Sequence, residues 1–196
     1  MKYLICGHMR SGTKYCSRLA LNLGVGILHE KEGKQGMSFW EHVVCPKNWA
    51  VLIHIVRNPI DVISSSYTCM PRSWKYMSEH IGIDLMSFPM PIRAMITWVW
   101  WNRVIRNNYP SLTCRVEDLT SHTKSFDDFC KWLNVSPDSD WNKFPPSDWN
   151  TCKHRNRPTS KGTMPYRTVT KGDLMKADIQ QYEKVAIEAE KYGYVL

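Results

Sequence analysis

The sequence predicts an α/β protein in which a central parallel β-sheet of about four or five strands has helices on both faces. Short apolar runs typical of buried strands occur at 3–6, 50–56 and 111–116. Segments with helical spacing of apolar residues follow these runs, and a glycine-containing loop joins the first run to its helix. The chain has 196 residues, enough for one domain with a substantial core, so we expect 1–196 to form a single domain.

Composition limits the classes of partner and of compartment. The net charge of +8 favours an anionic partner, and nucleic acid is the weaker choice because no Lys/Arg run is interleaved with aromatic residues. No apolar run approaches the roughly 20 residues that a membrane span needs. The first strand is predicted almost at Met1, so we expect no signal peptide. The seven cysteines include no Cys-x-x-Cys pair and are typical of buried thiols, so we expect a cytoplasmic protein without a metal site.

Local signals predict the elements between the main strands. A short second strand is expected within 24–30, and the Gly- and Lys-rich stretch 31–37 predicts an exposed loop. Ser38 is a candidate N-cap of a short helix through Val44, with Glu41 at the capping-box position.

The second half of the chain is expected to be largely helical. An irregular segment with a short helix at 73–80 is expected over 68–90. The remaining predicted segments are helices at 91–107, 125–133 and 177–191 and a loop over 134–157.

The loop after the first strand has the strongest phosphate-binding signal. Its candidate ligands are glycines, cations and hydroxyls: Gly7, Arg10, Ser11, Gly12, Thr13 and Lys14. Glycine lets the backbone approach phosphate oxygens closely, arginine supplies a bidentate fork, and the following helix adds its N-terminal N–H groups. The loop differs from a Walker A loop, which has lysine directly after its second glycine, because Thr13 separates Gly12 from Lys14 here.

A second anion-binding pattern follows the strand at 50–56. Arg57 leaves the end of that strand, and Asn58 with Pro59 predicts the start of a helix. Ser65 lies about two turns along this helix, so its hydroxyl and the Arg57 guanidinium can converge on one phosphate group. Its neighbours Ser64 and Ser66 remain alternative contacts if the helix register differs.

Together these two patterns resemble the nucleotide-binding motifs of the sulfotransferase family. Arg10-Ser11-Gly12-Thr13 is similar to the loop that holds the 5′-phosphosulfate, and Arg57-x-Pro59 followed by Ser65 is similar to the 3′-phosphate site. The resemblance implies a three-layer fold like that of P-loop NTPases. It also implies the sulfuryl donor 3′-phosphoadenosine 5′-phosphosulfate, its product adenosine 3′,5′-bisphosphate, and no metal.

The same resemblance implies further roles for individual residues. Arg10 to Lys14 would hold the 5′-phosphosulfate, with Arg10 as the electrostatic catalyst, and Tyr15 would lie against adenine. A partial match at Ser160-Lys161-Gly162 would close the 3′-phosphate site, with Arg155 or Arg157 replacing the arginine that the family places in this loop.

Glu30 is the predicted general base. It ends the second strand about twenty residues after the phosphate loop, as the base does in several sulfotransferase branches. His8, inside the loop, is its main rival. Strand alternation predicts that His29 points away from Glu30, and His54 is expected to be a core residue.

The sequence leaves the acceptor and two rival functions open. A hydroxyl or amine of a small molecule, carbohydrate or peptide is expected, and the variable loops at 31–49 and 68–91 would build its pocket. One rival is a P-loop kinase for a small metabolite, which would need ATP and magnesium. The other is a catalytically inactive nucleotide-binding module. No sequence feature indicates the oligomeric state.

Overall fold

The computed structural model describes residues 2–41, 49–109, 111–137, 144–145 and 167–196. The described residues contain five strands and seven α-helices. The strands are β1 Tyr3–Cys6, β2 Ile27–His29, β3 Gly36–Ser38, β4 Val51–Val56 and β5 Leu112–Arg115. The helices are α1 Thr13–Asn22, α2 Pro59–Ser66, α3 Pro71–Ile81, α4 Met90–Asn108, α5 Lys124–Trp132, α6 Lys171–Ala177 and α7 Ile179–Glu190. Short 3₁₀ turns occupy Leu85–Ser87 and Val116–Leu119.

The described residues fall into two compact units. The first unit comes from Met1–Arg57 and Val104–Thr151, and it contains the whole sheet with α1 and α5. The second unit comes from Asn58–Arg103 and Cys152–Leu196, and it contains α2, α3, α4 as far as Arg103, α6 and α7.

All five strands of the first unit run parallel, in the order β2-β3-β1-β4-β5. The central strand is β1, where Leu4 pairs with Met37 of β3 and with Leu52 of β4. Parallel strands end at one edge of a sheet, so the residues that follow β1, β2 and β4 share that edge. The predicted α/β class, with a parallel sheet flanked by helices, is confirmed.

One face of the sheet packs against α1 and α5. Ile5 of β1 and Ile53 of β4 share a buried cluster with Leu19 of α1 and Phe129 of α5, and all four are fully shielded from solvent. Burying a side chain of this size contributes roughly 1.5–3 kcal/mol. The two helices therefore fix the central strands and, with them, the start of the loop after β1.

In the second unit a buried carboxylate joins α4 to α7. Glu188 is fully buried on α7 and accepts hydrogen bonds from Arg103 Nε, Lys191 Nζ and Tyr192 Oη, each at 3.1 Å. A buried charge is tolerated only with such partners, because its desolvation is otherwise unfavourable by several kcal/mol, an order-of-magnitude figure.

Two sequence predictions, the loop through Met37 and the capping role of Ser38, are wrong. Gly36–Ser38 is a strand and not part of a loop, because it pairs in parallel with β1 and β2. Ser38 ends that strand and donates its hydroxyl to the Thr13 carbonyl at 2.7 Å, so it does not cap a helix. Most of the helix expected after it, at 42–48, lies outside the described residues. The short helix expected at 73–80 is present and slightly longer than predicted, as the eleven-residue helix α3, which begins at Pro71.

The predictions for His54 and for the cysteines are confirmed within the described residues. His54 is fully buried in β4, with Nδ1 3.4 Å from Thr113 Oγ1. The five described cysteines are buried thiols: Cys6, Cys16, Cys69, Cys114 and Cys130. None of the described helices combines the length and apolar character that crossing a bilayer requires.

Candidate functional site

The loop after β1 is a tight turn pressed against β4. A Cβ on Gly7 would lie 2.2 Å from the Ile55 carbonyl oxygen, so only glycine fits there. Arg10 (φ 70°) and Gly12 (φ 95°) both have left-handed backbones, and Ser11 N donates to His8 O at 3.0 Å. The left-handed conformation at arginine is unfavourable by about 1 kcal/mol or more, and such strain is typical of functional loops.

Helix α1 begins directly from this loop with its positive end unshielded by side chains. Gly12 is the N-cap and provides no side-chain acceptor, and the first turn of α1 contains no acidic residue. Backbone N–H groups at a helix start carry partial positive charge and favour an anion. Arg10 and Lys14 are exposed on either side of Gly12 and add two full charges.

Ser11 supplies a buried hydroxyl within the loop. Its side chain is fully buried, and no hydrogen-bond partner for its Oγ occurs among the described residues. Buried hydroxyls are nearly always hydrogen-bonded, so this one suits an additional ligand oxygen. The Ser11 hydroxyl and the unshielded start of α1 thus suit an anionic group such as phosphate.

The structure brings the two predicted arginine motifs together in the first unit. Arg57 follows β4 directly, and its Nη1 donates to the Arg10 carbonyl oxygen at 3.5 Å, a long hydrogen bond. This contact links the residue after β4 to the loop after β1. The Arg57 guanidinium and the backbone of the Arg10 loop therefore belong to one region of the sheet edge.

Ser65 lies on α2, in the second unit, and is fully buried. The predicted helix start is confirmed, because the Asn58 side chain accepts from Ile60 N at 3.0 Å and Pro59 is the first helical residue.

The serines beside Ser65 bond to backbone groups. Ser64 Oγ accepts from Val169 N at 3.0 Å, and Ser66 Oγ donates to Val62 O at 2.7 Å. Both alternatives to Ser65 thus have structural roles, and the role of Ser65 itself remains a prediction.

Two predicted site residues are core residues in the structure. Tyr15 is 2% exposed, lies in the core cluster of the first unit, and donates its hydroxyl to Leu119 O at 3.1 Å. Its ring is therefore not presented to a nucleotide. His8 is fully buried, and burial lowers the pKa of His8 to about 3. A buried, weakly basic imidazole is poorly suited to accept a proton from a substrate near neutral pH.

The late-chain candidates lie outside the described residues: Arg155, Arg157, Lys161 and Gly162. Their roles remain predictions. Within the part of the chain that the structure describes, no three His, Cys, Asp or Glu side chains group as metal ligands would.

Glu30 and His29 lie together at the end of β2, contrary to the prediction that they point apart. Glu30 has a left-handed backbone (φ 58°), which breaks the alternation of the strand, and its Oε1 is 3.4 Å from His29 Nε2. The Glu30 side chain is 60% exposed and that of His29 is 24% exposed. The sequence analysis placed His29 and Glu30 on opposite sides because it assumed that strand alternation continues through Glu30. A glutamate gives no sequence signal for a left-handed backbone, so this break in the alternation was not predicted.

Comparison with solved structures finds the same fold in sulfotransferase domains. The sulfotransferase domain from the curacin biosynthetic pathway aligns with a TM-score of 0.56 and 14% identity, over 100% of this chain and 98% of that one. The sulfotransferase domain from the Synechococcus PCC 7002 olefin synthase aligns with a TM-score of 0.56 and 16% identity, over 100% of this chain and 95% of that one. Mouse sulfotransferase SULT7A1 complexed with PAP aligns with a TM-score of 0.45 and 12% identity, over 98% of this chain and 81% of that one.

Comparison of the amino-acid sequence with known families and proteins finds no match. No protein family profile matches this chain, and no curated protein does. The structural matches establish that the chain has the fold of the first two sulfotransferase domains, as the sequence predicted.

Proposed function

We propose that this protein is a sulfotransferase that moves a sulfuryl group from 3′-phosphoadenosine 5′-phosphosulfate to a hydroxyl or an amine. The observation that carries the proposal is the contact between the two arginine motifs, with Arg57 Nη1 at 3.5 Å from the Arg10 carbonyl oxygen. A nucleotide with anionic groups at both the 5′ and the 3′ position of its ribose suits two arginines carried by segments in contact with each other. The fold shared with two sulfotransferase domains supports the proposal at the level of architecture.

The phosphate loop would hold the 5′ end of the donor. Gly7 allows the loop to lie against β4, the start of α1 provides N–H groups, and the Ser11 hydroxyl gains the partner that it lacks among the described residues. The proposed ligands of the 5′-phosphosulfate are Arg10, Ser11, Gly12, Thr13 and Lys14. Those of the 3′-phosphate are Arg57 and Ser65, with Lys161 and Gly162 proposed from the sequence motif alone.

Arg10 is the proposed electrostatic catalyst. The donor provides an electrophilic sulfur atom and a phosphate as leaving group. Charge grows on the leaving oxygen during transfer, and a cation fixed beforehand at that position lowers the barrier more than a mobile one. Arg10 belongs to the loop that leads directly into α1, so the same loop would supply this cation and the N–H groups for the 5′-phosphosulfate.

The acceptor is proposed by class only. A small molecule, carbohydrate or peptide with a hydroxyl or an amine would suit the reaction, and the proposed compartment is the cytoplasm. The two sulfotransferase domains with the same fold come from biosynthetic enzymes named for curacin and for olefin synthesis.

A thermal-shift panel tests the choice of nucleotide. Adenosine 3′,5′-bisphosphate without metal should raise the melting temperature, because a ligand at 100 times its Kd stabilises the folded state by about 2.7 kcal/mol. For a chain of this size that free energy corresponds to roughly 5–11 °C. Adenosine 5′-monophosphate, which lacks the 3′-phosphate, is the matched control and should give a smaller shift. Stabilisation by ATP with magnesium and not by the bisphosphate would refute the proposal and favour a kinase.

A further inference from the structure

The end of β2 presents an imidazole whose two nitrogen atoms have different surroundings. His29 Nδ1 lies 3.2 Å from the Ser38 carbonyl oxygen on β3. On the other side of the ring, Nε2 lies 3.4 Å from Glu30 Oε1. The two contacts hold the ring between the backbone of β3 and a carboxylate.

The carbonyl contact determines the tautomer of neutral His29. A carbonyl oxygen only accepts hydrogen bonds, so Nδ1 must carry the hydrogen when it bonds to Ser38. In the neutral ring, Nε2 then has a lone pair and can take up a proton. Once protonated, Nε2 would face the Glu30 carboxylate and form an ion pair with it.

A hydrogen-bonded path joins His29 to the phosphate loop. Its partner Ser38 donates Oγ–H to the Thr13 carbonyl oxygen at 2.7 Å, and Thr13 is the first residue of α1. Lys14, the next residue, is close enough to influence His29 electrostatically. One intervening residue therefore separates the ring from the proposed 5′-phosphosulfate site.

The electrostatics of His29 keep it neutral near pH 7. Burial lowers the pKa of His29 below its ordinary value of 6.5, and the charge of Lys14 lowers it further, against the opposing effects of Glu30 and the Ser38 carbonyl. A group with a lowered pKa is deprotonated above that value, so the lone pair on Nε2 is available at neutral pH.

We infer that His29 is the general base of the proposed sulfuryl transfer and that Glu30 is a positioning residue, which stabilises the protonated imidazole. The inference rests on the proposed function and revises the sequence-based assignment of the base to Glu30. Two features carry it: the ring is fixed by Ser38 of the strand that contacts the phosphate loop, and its Nε2 faces a carboxylate.

The acceptor O–H or N–H gives its proton to His29 Nε2 while its oxygen or nitrogen bonds to sulfur. The bond between sulfur and the 5′-phosphate oxygen breaks, and its electron pair leaves with that phosphate. Imidazolium then returns the proton to solvent, and Glu30 lowers the energy of the charged ring in the interval.

Proton NMR of the ligand-free protein tests the electrostatic part. The His29 ring resonance, assigned from its loss in His29→Asn, should titrate with a pKa below 6.5 in the wild type. Glu30→Gln removes a charge that favours imidazolium, so the pKa of His29 should fall. Lys14→Met removes a charge of opposite effect, so the pKa should rise. Unchanged titration in both variants would overturn the pairing, whatever the activity.

Kinetics with a known sulfuryl donor test the chemical part. We would measure transfer from 3′-phosphoadenosine 5′-phosphosulfate to 2-naphthol and to water between pH 5 and 8.5. His29→Asn keeps a donor near the Nδ1 position but has no Nε2, and it should lower turnover by about 10²–10⁴-fold. Glu30→Gln should lower turnover by less than about tenfold, and it should move the rising limb of the kcat/KM profile to lower pH.

The outcomes separate this inference from the proposed function. A wild-type protein that transfers to neither 2-naphthol nor water would refute the proposed function, and with it this role for His29. An active wild type with an equally active His29→Asn would refute only the inference. Loss of turnover at every pH in Glu30→Gln, equal to that in His29→Asn, would return the role of base to Glu30. The bisphosphate-induced thermal shift, measured in each variant, checks that the fold and nucleotide site are intact.

Discussion

Replacing Gly7 with alanine tests how closely the loop after β1 approaches β4. The new Cβ would lie 2.2 Å from the Ile55 carbonyl oxygen and 3.2 Å from its carbon, whereas ordinary contact begins near 3.4 Å. Two backbone segments must therefore separate by about 1.2 Å at this point. Overpacking of this kind costs about 1–3 kcal/mol. Because Ile55 is two residues before Arg57, the same movement displaces the phosphate loop relative to that arginine.

The measurement is a pair of thermal melts, with and without adenosine 3′,5′-bisphosphate. Gly7→Ala should lower the melting temperature by roughly 2–12 °C, at about 2–4 °C per kcal/mol for this size. It should also weaken binding of the bisphosphate by at least about tenfold in Kd, or about 1.4 kcal/mol, since the loop is no longer held against β4.

Gly24→Ala is the matched control for this prediction. Gly24 has φ +83°, but a Cβ there would meet no atom within 4 Å. Its cost is the left-handed backbone alone, about 1–2 kcal/mol, without displacement of the loop. It should lower the melting temperature and leave the bisphosphate affinity unchanged. If Gly7→Ala melts and binds like the wild type, the close contact and the reasoning built on it are wrong.

Two further substitutions probe the nucleotide site and the second unit. Arg57→Ala should weaken binding of adenosine 3′,5′-bisphosphate by about 1.5–3 kcal/mol in calorimetric titration, because a phosphate loses a charged partner. Arg72→Ala, at an exposed position, is a control with the same change in charge. Equal affinity in the wild type and Arg57→Ala would remove Arg57 from the site. Glu188→Gln should destabilise the fold by about 1.5–3 kcal/mol in chemical denaturation, because Arg103, Lys191 and Tyr192 lose a charged hydrogen-bond acceptor, while the two cations stay partly hydrated. The same change at the exposed Glu183 should be close to neutral, and similar effects at both positions would contradict this account.

Strands β1 and β4 were predictable from the sequence because they are buried and therefore almost entirely apolar. Tyr3–Cys6 and Val51–Val56 are short apolar runs, and both are strands within one residue of the prediction. Their position in the centre of the sheet accounts for the uninterrupted apolar pattern. The long helix Met90–Asn108 was equally evident, because its length allows several repeats of the helical spacing.

Strand β3 was not predictable from local pattern. It has three residues, of which only Met37 is apolar, and three residues are too few to display alternation. Parallel pairing with β1 and β2 makes it a strand, and this information is tertiary. Gly36 is required there because a Cβ would lie 2.1 Å from the Tyr3 carbonyl oxygen.

The candidate site was predictable in part. The two arginine motifs were located by their spacing, and Arg57 does contact the loop that holds Arg10. Tyr15 illustrates two signals in conflict, since its helical spacing with Leu19 predicted a core position while family resemblance placed it against adenine. The structure agrees with the spacing. His29 was discounted because strand alternation was assumed to continue through Glu30, whose backbone is left-handed.

The chain order of the sheet has a consequence for synthesis on the ribosome. Leu112, which starts β5, follows Val56, which ends β4, by 56 positions. At elongation rates of about 5–20 residues per second, roughly 3–11 s pass before β5 can pair. During this time β4, with five apolar residues among six, has an open hydrogen-bonding edge that another nascent chain can occupy. Cover of this edge by a chaperone, or faster translation of residues 57–111, would therefore raise the yield of native protein.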